Sequence, residues 1–229
     1  MAEKSPKRES EIERLISLIG RRGLIRSRDL SAVEVGRKTL ARGCQKGAIE
    51  RLGRGMYSLP GRNRDQIAEA CLRVPQGVVC LPSALYFHGL IASKPQEIWM
   101  AIGSKVRLPR VDFLPLKIVR FSGDALTQGV VNSKIDGVPV RVYSPMKTIA
   151  DCYKFRSKLG TEVARAALES SVAIGSYSRY RLLHFGRICR VEKLLDCSDI
   201  THQRPIRKRI LPICLKQSSV QTPYSATRR

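Results

Sequence analysis

The chain has 229 residues, with 42 Lys and Arg against 19 Asp and Glu, a formal net charge of +23. That length accommodates one or two domains, and 43% hydrophobic residues is enough to build a sizeable core. A globular chain this basic is suited to a polyanion: DNA, RNA or an acidic membrane. No apolar run of about 18 residues is present, so no membrane-spanning segment or membrane partner is read.

The first residues, MAEKSPKRESEIERLISLIG, carry Glu3, Glu9, Glu11 and Glu13 and lack the apolar centre of a signal peptide, which predicts a cytoplasmic protein. Cys44, Cys71, Cys80, Cys152, Cys189, Cys197 and Cys214 are scattered, and none forms a C-x-x-C pair. They are expected to be reduced, small buried apolar residues and not metal ligands. Charge is spread over the chain: +7 in residues 1–61, +10 in 62–196 and +6 in 197–229.

In chain order, Ile12, Leu15, Ile16 and Ile19 stand at helical spacing after Ser10, a candidate N-cap, and Gly23 ends the helix. The stretch LIRSRDLSAV predicts a second short helix, with Ser27 as a possible cap and Leu30 facing inward. RKTLARGCQKG predicts a third, ending at Gly47. KGAIERLGRGMYSLPG then reads as a strand, a basic turn and a second strand, closed by Pro60-Gly61.

Three short helices and a basic hairpin are the layout of a winged helix-turn-helix. At about 100° per residue, Arg37, Lys38, Ala41, Arg42 and Gln45 share one arc of the third helix. Thr39, Leu40, Gly43, Cys44 and Gly47 share the opposite arc. The first arc suits the major groove, where Arg pairs with guanine and Gln with adenine through paired hydrogen bonds. The hairpin would act as the wing, bringing Arg51 and Arg54 to phosphates or the minor groove, with Gly53 and Gly55 permitting a tight turn and a close backbone approach. The candidate DNA-binding set is therefore Arg37, Lys38, Arg42, Gln45, Lys46, Arg51 and Arg54.

Beyond Gly61 the elements mix. RDQIAEACLRV predicts a helix, VVCL a short buried strand, and PSALYFHGL a helix ending at Gly89. EIWMAIG and LKIVRF predict strands, and GVVNSKIDGVPVRVYS a hairpin turning at Asp136-Gly137. SPMKTIADCYKF predicts a helix capped by Ser144 with Pro145 first. TEVARAALESSVA predicts another, capped by Thr161, and RYRLLHFGRICRVEKLL a final amphipathic one. The expected fold class is α+β, with an N-terminal winged helix-turn-helix (residues 1–61) before a mixed α/β domain (62–196). The remainder, 197–229, is aperiodic and basic; it reads as a disordered tail or as the product of a shifted reading frame.

Ser83 and His88 lie five apart, but the sequence supplies no oriented third partner for Ser-His catalysis. No carboxylate-x-lysine run of a metal nuclease stands in the second segment, and no G-x-x-x-x-G-K-[ST] phosphate loop appears, so no catalytic residue, metal or cofactor is assigned. The residues themselves leave open a winged-helix regulator with a ligand-sensing second domain, and a nucleic-acid-processing enzyme such as a nuclease.

Four blocks carry a resemblance: RGLIRSRDL with LARGCQKGAIERLGRGMYSLP, then LPSALYFHGL, VYSPMKTIADCYKFRSKLG and RICRVEKLL. In that order, from about Glu11 to Leu195, they resemble the AbiEi family, the antitoxins of type IV abortive-infection toxin–antitoxin systems, also known as transcriptional regulators of viral defence. The resemblance implies a repressor that binds inverted repeats in its own double-stranded operator DNA. It also implies an antitoxin that counters a nucleotidyltransferase toxin without a stable complex. A monomer in solution that binds cooperatively on DNA fits this reading. The DNA contacts it implies fall on Arg37, Lys38, Arg42, Arg51 and Arg54. After Leu195 the chain departs from the family pattern.

Overall fold

The structure is a computed structural model and describes residues 10–27, 30, 35–53, 55–62, 65–108 and 114–196, with the Asp196 side chain excluded. Helix α1 (Glu11–Arg22) opens on a capping box: Glu13 N–H donates to Ser10 Oγ at 3.2 Å, and Ser10 N–H donates to Glu13 Oε2 at 2.7 Å. Leu15 and Ile19 are its buried residues, and Gly23 stops it at φ +70°. The chain then enters strand β1 (Leu24–Arg26). This corrects the expectation of a helix beginning at Leu24. The apolar Leu24 and Ile25 fit either element locally, and the partner that selects a strand lies more than thirty residues on: Leu24 pairs with Ser58 and Ile25 with Tyr57. Leu30 is buried, as expected; residues 28–29 and 31–33 of the predicted helix lie outside the described residues.

Helix α2 (Arg37–Gln45) is followed by strands β2 (Glu50–Gly53) and β3 (Met56–Ser58). The three strands form an antiparallel sheet in the order β1-β3-β2. Leu15, Ile19, Ile25, Leu30, Val35, Leu40 and Ile49 make one core beneath the helices. The result is an N-terminal helix-turn-helix with a winged sheet, and the α+β class read from the sequence holds.

The following segment runs α3 (Gln66–Arg73), β4 (Val78–Val79), α4 (Leu81–Phe87), β5 (Ile98–Gly103), β6 (Leu116–Phe121), α5 (Asp124–Thr127), β7 (Val130–Ile135) and β8 (Val138–Tyr143). It continues through α6 (Pro145–Lys154), α7 (Arg156–Leu159), α8 (Thr161–Ala173), α9 (Arg179–Cys189) and α10 (Glu192–Asp196). Asp65 caps α3, accepting from Ile67 N–H at 2.7 Å and Ala68 N–H at 3.1 Å. The five-stranded sheet has the order β6-β5-β4-β8-β7 and is mixed: β5/β6 and β4/β8 are parallel, β4/β5 and β7/β8 antiparallel. Asp136 (φ 49°) and Gly137 (φ 76°) form the β7–β8 turn in the left-handed region that a two-residue hairpin demands. Helix α6 packs against α4, α8 and α9.

Three local expectations are corrected. Thr161 is the first residue of α8, and the cap position belongs to Gly160 at φ +83°, a conformation only glycine adopts without strain. The final amphipathic helix is two helices, because Arg190 takes a left-handed conformation (φ 60°) and turns the chain between α9 and α10. The strand expected over VVCL is limited to Val78–Val79, since Cys80 already caps α4.

The sequence division at Gly61 falls between two cores, but a third apolar cluster bridges it. Leu24 of β1 is buried with Ala68 of α3 and Val138 of β8, and Leu52, Leu72 and Ile135 pack around them. Polar contacts cross the same junction: Arg62 Nη1 donates to the Gly20 carbonyl at 2.7 Å, and Arg73 Nη2 to the Leu52 carbonyl at 3.0 Å. All the described residues belong to one compact unit.

Candidate nucleic-acid interface

Helix α2 owes its orientation to its small and apolar side. Thr39, Leu40 and Gly43 are buried. A Cβ on Gly43 would stand 3.1 Å from Ile49 Cγ1, so the glycine lets the helix settle closely on its core. Thr39 Oγ1 donates to Glu11 Oε2, tying α2 to α1. With that side fixed inward, Arg37, Lys38, Ala41, Arg42 and Gln45 are all exposed, the arc read from the sequence. No Asp or Glu occurs in α2. Arg37 and Arg42 are five residues apart, about 7.5 Å along the axis at 1.5 Å per residue, close to two base-pair steps of 3.4 Å. Lys46 follows at the C-cap position, also exposed.

The hairpin stands next in the chain. Arg51 is exposed, and its Nε donates to the Gly53 carbonyl at 3.3 Å. Gly55 has φ +71°, as the turn requires, and its carbonyl accepts from Ser27 N–H at 2.8 Å. Arg54 lies outside the described residues. Helix α2 thus presents an exposed basic side, and the hairpin that follows it in the chain presents the exposed Arg51.

The second segment has a buried polar cluster that the sequence reading missed. Lys147 Nζ meets both oxygens of Asp151, at 2.7 and 2.6 Å, with side chains 0% and 1% exposed. The ammonium lies 4.4 Å from the Tyr143 ring centre and 5.0 Å from that of Phe121. Cys189 Sγ–H donates to Asp151 Oδ1 at 3.1 Å. Burial pushes the Asp151 carboxyl up from its usual range, against the pull of Lys147. Burial likewise pushes the Cys189 thiol up to about 12. A low-pKa nucleophile needs the opposite environment, so the cluster is read as structural. The only local signal was a Lys and an Asp four apart in PMKTIADCYK, and spacing alone does not say whether such a pair is buried.

Ser83 and His88 do not form a dyad. Ser83 Oγ accepts from Trp99 N–H at 2.8 Å and donates to the Glu97 carbonyl at 3.3 Å. His88 Nε2 meets the Tyr143 carbonyl at 2.7 Å, which makes it the protonated nitrogen of a neutral ring. Burial lowers the His88 pKa from its ordinary 6.5. Among the described residues no group of three or more His, Cys, Asp and Glu is placed to hold a metal ion, and no helix is long and apolar enough to cross a membrane.

Residues 13–60 match the family of AbiEi antitoxin transcriptional regulators. The match spans α1 through β3, and so includes α2 and the hairpin. No curated protein matches the chain. Among solved structures, the fold is similar to that of the RV2827C protein from Mycobacterium tuberculosis, with a TM-score of 0.55 at 16% identity, covering 84% of this chain and 78% of that one. At that identity the likeness is one of fold.

Proposed function

We propose that the chain is a cytoplasmic DNA-binding repressor that silences its own operon and counters a nucleotidyltransferase toxin without forming a stable complex with it. The observation that carries the reading is the exposed face of α2, where Arg37, Lys38, Arg42 and Gln45 stand without an acidic residue, inside the segment matched by a transcriptional-regulator family. Arg37 and Arg42 read guanines in the major groove, Gln45 reads adenine, Lys38 and Lys46 engage phosphates, and Arg51 and Arg54 grip the backbone beside the groove. The operator carries inverted repeats, and a chain that is monomeric in solution occupies them cooperatively. The work of the molecule is binding, not catalysis. Antitoxin activity rests on the family match alone.

The test is gel-shift titration on the DNA upstream of the gene. Arg37→Ala and Arg42→Ala should each weaken binding by about 1–3 kcal/mol and relax the preference at one base pair. Arg54→Ala should weaken all sequences alike and lower the salt slope by about 0.9. Unchanged affinity in all three folded variants would overturn the assignment of α2 and the hairpin.

A further inference from the structure

The β2 strand is irregular at one place. Glu50 pairs with Ser58 and Arg51 with Tyr57, but the next pair is Gly53 with Met56, so Leu52 is skipped by the ladder. A bulge of this kind leaves one residue's backbone groups without their ladder partners and re-aims the strand beyond it. The Leu52 carbonyl is taken up from outside the wing, by Arg73 Nη2 at 3.0 Å.

Arg73 is itself held. It stands in the last turn of α3, and Glu69, one turn earlier, accepts from its Nε at 3.0 Å and from its Nη2 at 2.6 Å. Both side chains are mostly buried, 12% and 14% exposed, so solvent screens the pair little. The guanidinium also lies flat against the next residue: a Cβ on Gly53 would stand 3.2 Å from Nη1. A side chain at Gly53 would push this guanidinium back by a few tenths of an ångström, while Gly55 serves the turn. Arg51, just before the bulge, donates back to the Gly53 carbonyl. The direction of the Arg51 guanidinium thus depends on the same short piece of backbone that Arg73 grips.

We propose that Arg73, oriented by Glu69, is a positioning residue for DNA binding: it fixes the bulge at Leu52 and so aims Arg51 of the wing at the phosphate backbone. The inference rests on the DNA-binding reading above and extends it to a residue outside the helix-turn-helix. Arg73 touches no nucleic acid in this scheme; it acts through Arg51. It also means that the second segment sets the geometry with which the first grips a duplex.

The experiment uses the full chain and a random-sequence duplex of about 30 base pairs, since phosphate contacts do not depend on sequence. Arg73→Lys keeps the charge but cannot hold Glu69 and the Leu52 carbonyl in one planar fork. It should weaken binding as much as Arg51→Ala does and lower the slope of log K against log salt by about 0.9, as for one lost phosphate contact. Because net charge is unchanged, a purely electrostatic or purely structural role for Arg73 would not move that slope. Glu69→Gln, which retains an acceptor, should give a smaller shift of the same kind in a chain that remains folded at the temperature of the titration. The Arg51→Ala/Arg73→Lys double variant should bind no more weakly than either single one. An unchanged salt slope in folded Arg73→Lys, or additive losses in the double variant, would overturn the proposal. Lys38→Ala/Lys46→Ala on the same duplex, at the two positions assigned to phosphates, separates the two levels: if that variant binds like the parent, it is the DNA-binding reading that fails.

Discussion

Lys147 and Asp151 form a buried pair in which each charge depends on the other. Each charge has been taken out of water, and the upward push on the Asp151 carboxyl is the sign that desolvation outweighs the attraction of Lys147. Removing one partner strands the other charge among Tyr143, Phe121 and Cys189. Asp151→Ala should therefore cost about 3–5 kcal/mol in chemical denaturation, whereas Lys147→Met with Asp151→Leu should be near neutral or stabilising. A double variant as unstable as the single one would show that the pair is favourable in itself. His88 supplies the pH dependence. Its pKa is lowered in the folded chain, so the unfolded chain binds the proton first as pH falls. Stability is then fully present above the unfolded value of about 6.5 and is lost as pH drops below it toward the folded value. Melting temperature should decline as pH falls below about 6.5, and His88→Gln should flatten that decline. A parent protein with no slope in this window would contradict the buried neutral imidazole.

Among the elements, glycines decide how closely helices approach. Gly186 of α9 faces α10: a Cβ there would stand 2.7 Å from Leu195 Cδ1 and 3.4 Å from Glu192 Cα. Leu195 can shift its side-chain tip, but the α10 backbone at Glu192 must move for anything larger. Gly186→Ala should be close to neutral, since a gain of about 1 kcal/mol in helix propensity offsets the crowding. Gly186→Val should cost about 1–3 kcal/mol, read as a melting point lower by roughly 2–4 °C per kcal/mol. Equal melting points for the parent and the Val variant would mean that α10 does not depend on this contact. Helix α2 follows the same logic on its buried side, where Gly43 admits Ile49 and leaves the basic side outward.

Across the whole molecule, the junction cluster sets what can be separated. Residues 1–62 alone would expose Leu24 and Leu52, which in the full chain lie against Ala68, Leu72, Val138 and Ile135. They would also lose the Arg73 contact at Leu52. That fragment should bind DNA more weakly than the full chain and give no protection against the cognate toxin. In the full chain, Arg37→Ala/Arg42→Ala should relieve promoter repression yet still protect cells when expressed from an independent promoter. A promoter reporter and toxin survival, measured in the same strains, check both. Loss of protection in a folded, abundant Arg37→Ala/Arg42→Ala variant would show that antitoxin activity requires DNA binding.

The amino-acid sequence by itself determined the helical faces and the turns. The α2 arc is legible because helical periodicity is local: Thr39, Leu40 and Gly43 must share a side, and Arg37, Lys38, Arg42 and Gln45 the other. The Asp136-Gly137 hairpin and the N-cap at Ser10 are legible because a few neighbouring residues carry the whole chemistry of each. What depends on residues far apart in the chain was decided only by the tertiary structure. Leu24–Arg26 is a strand because β3, some thirty residues later, pairs with it. Lys147 and Asp151 are buried because Tyr143, Phe121 and Cys189 converge on them from other elements. The bulge at Leu52 is held by Arg73, an arginine of a following helix that local spacing reads as one more solvated charge. Spacing along the chain specifies which side chains share a face, but packing free energy selects the partner that face meets, and that selection is made over the whole fold.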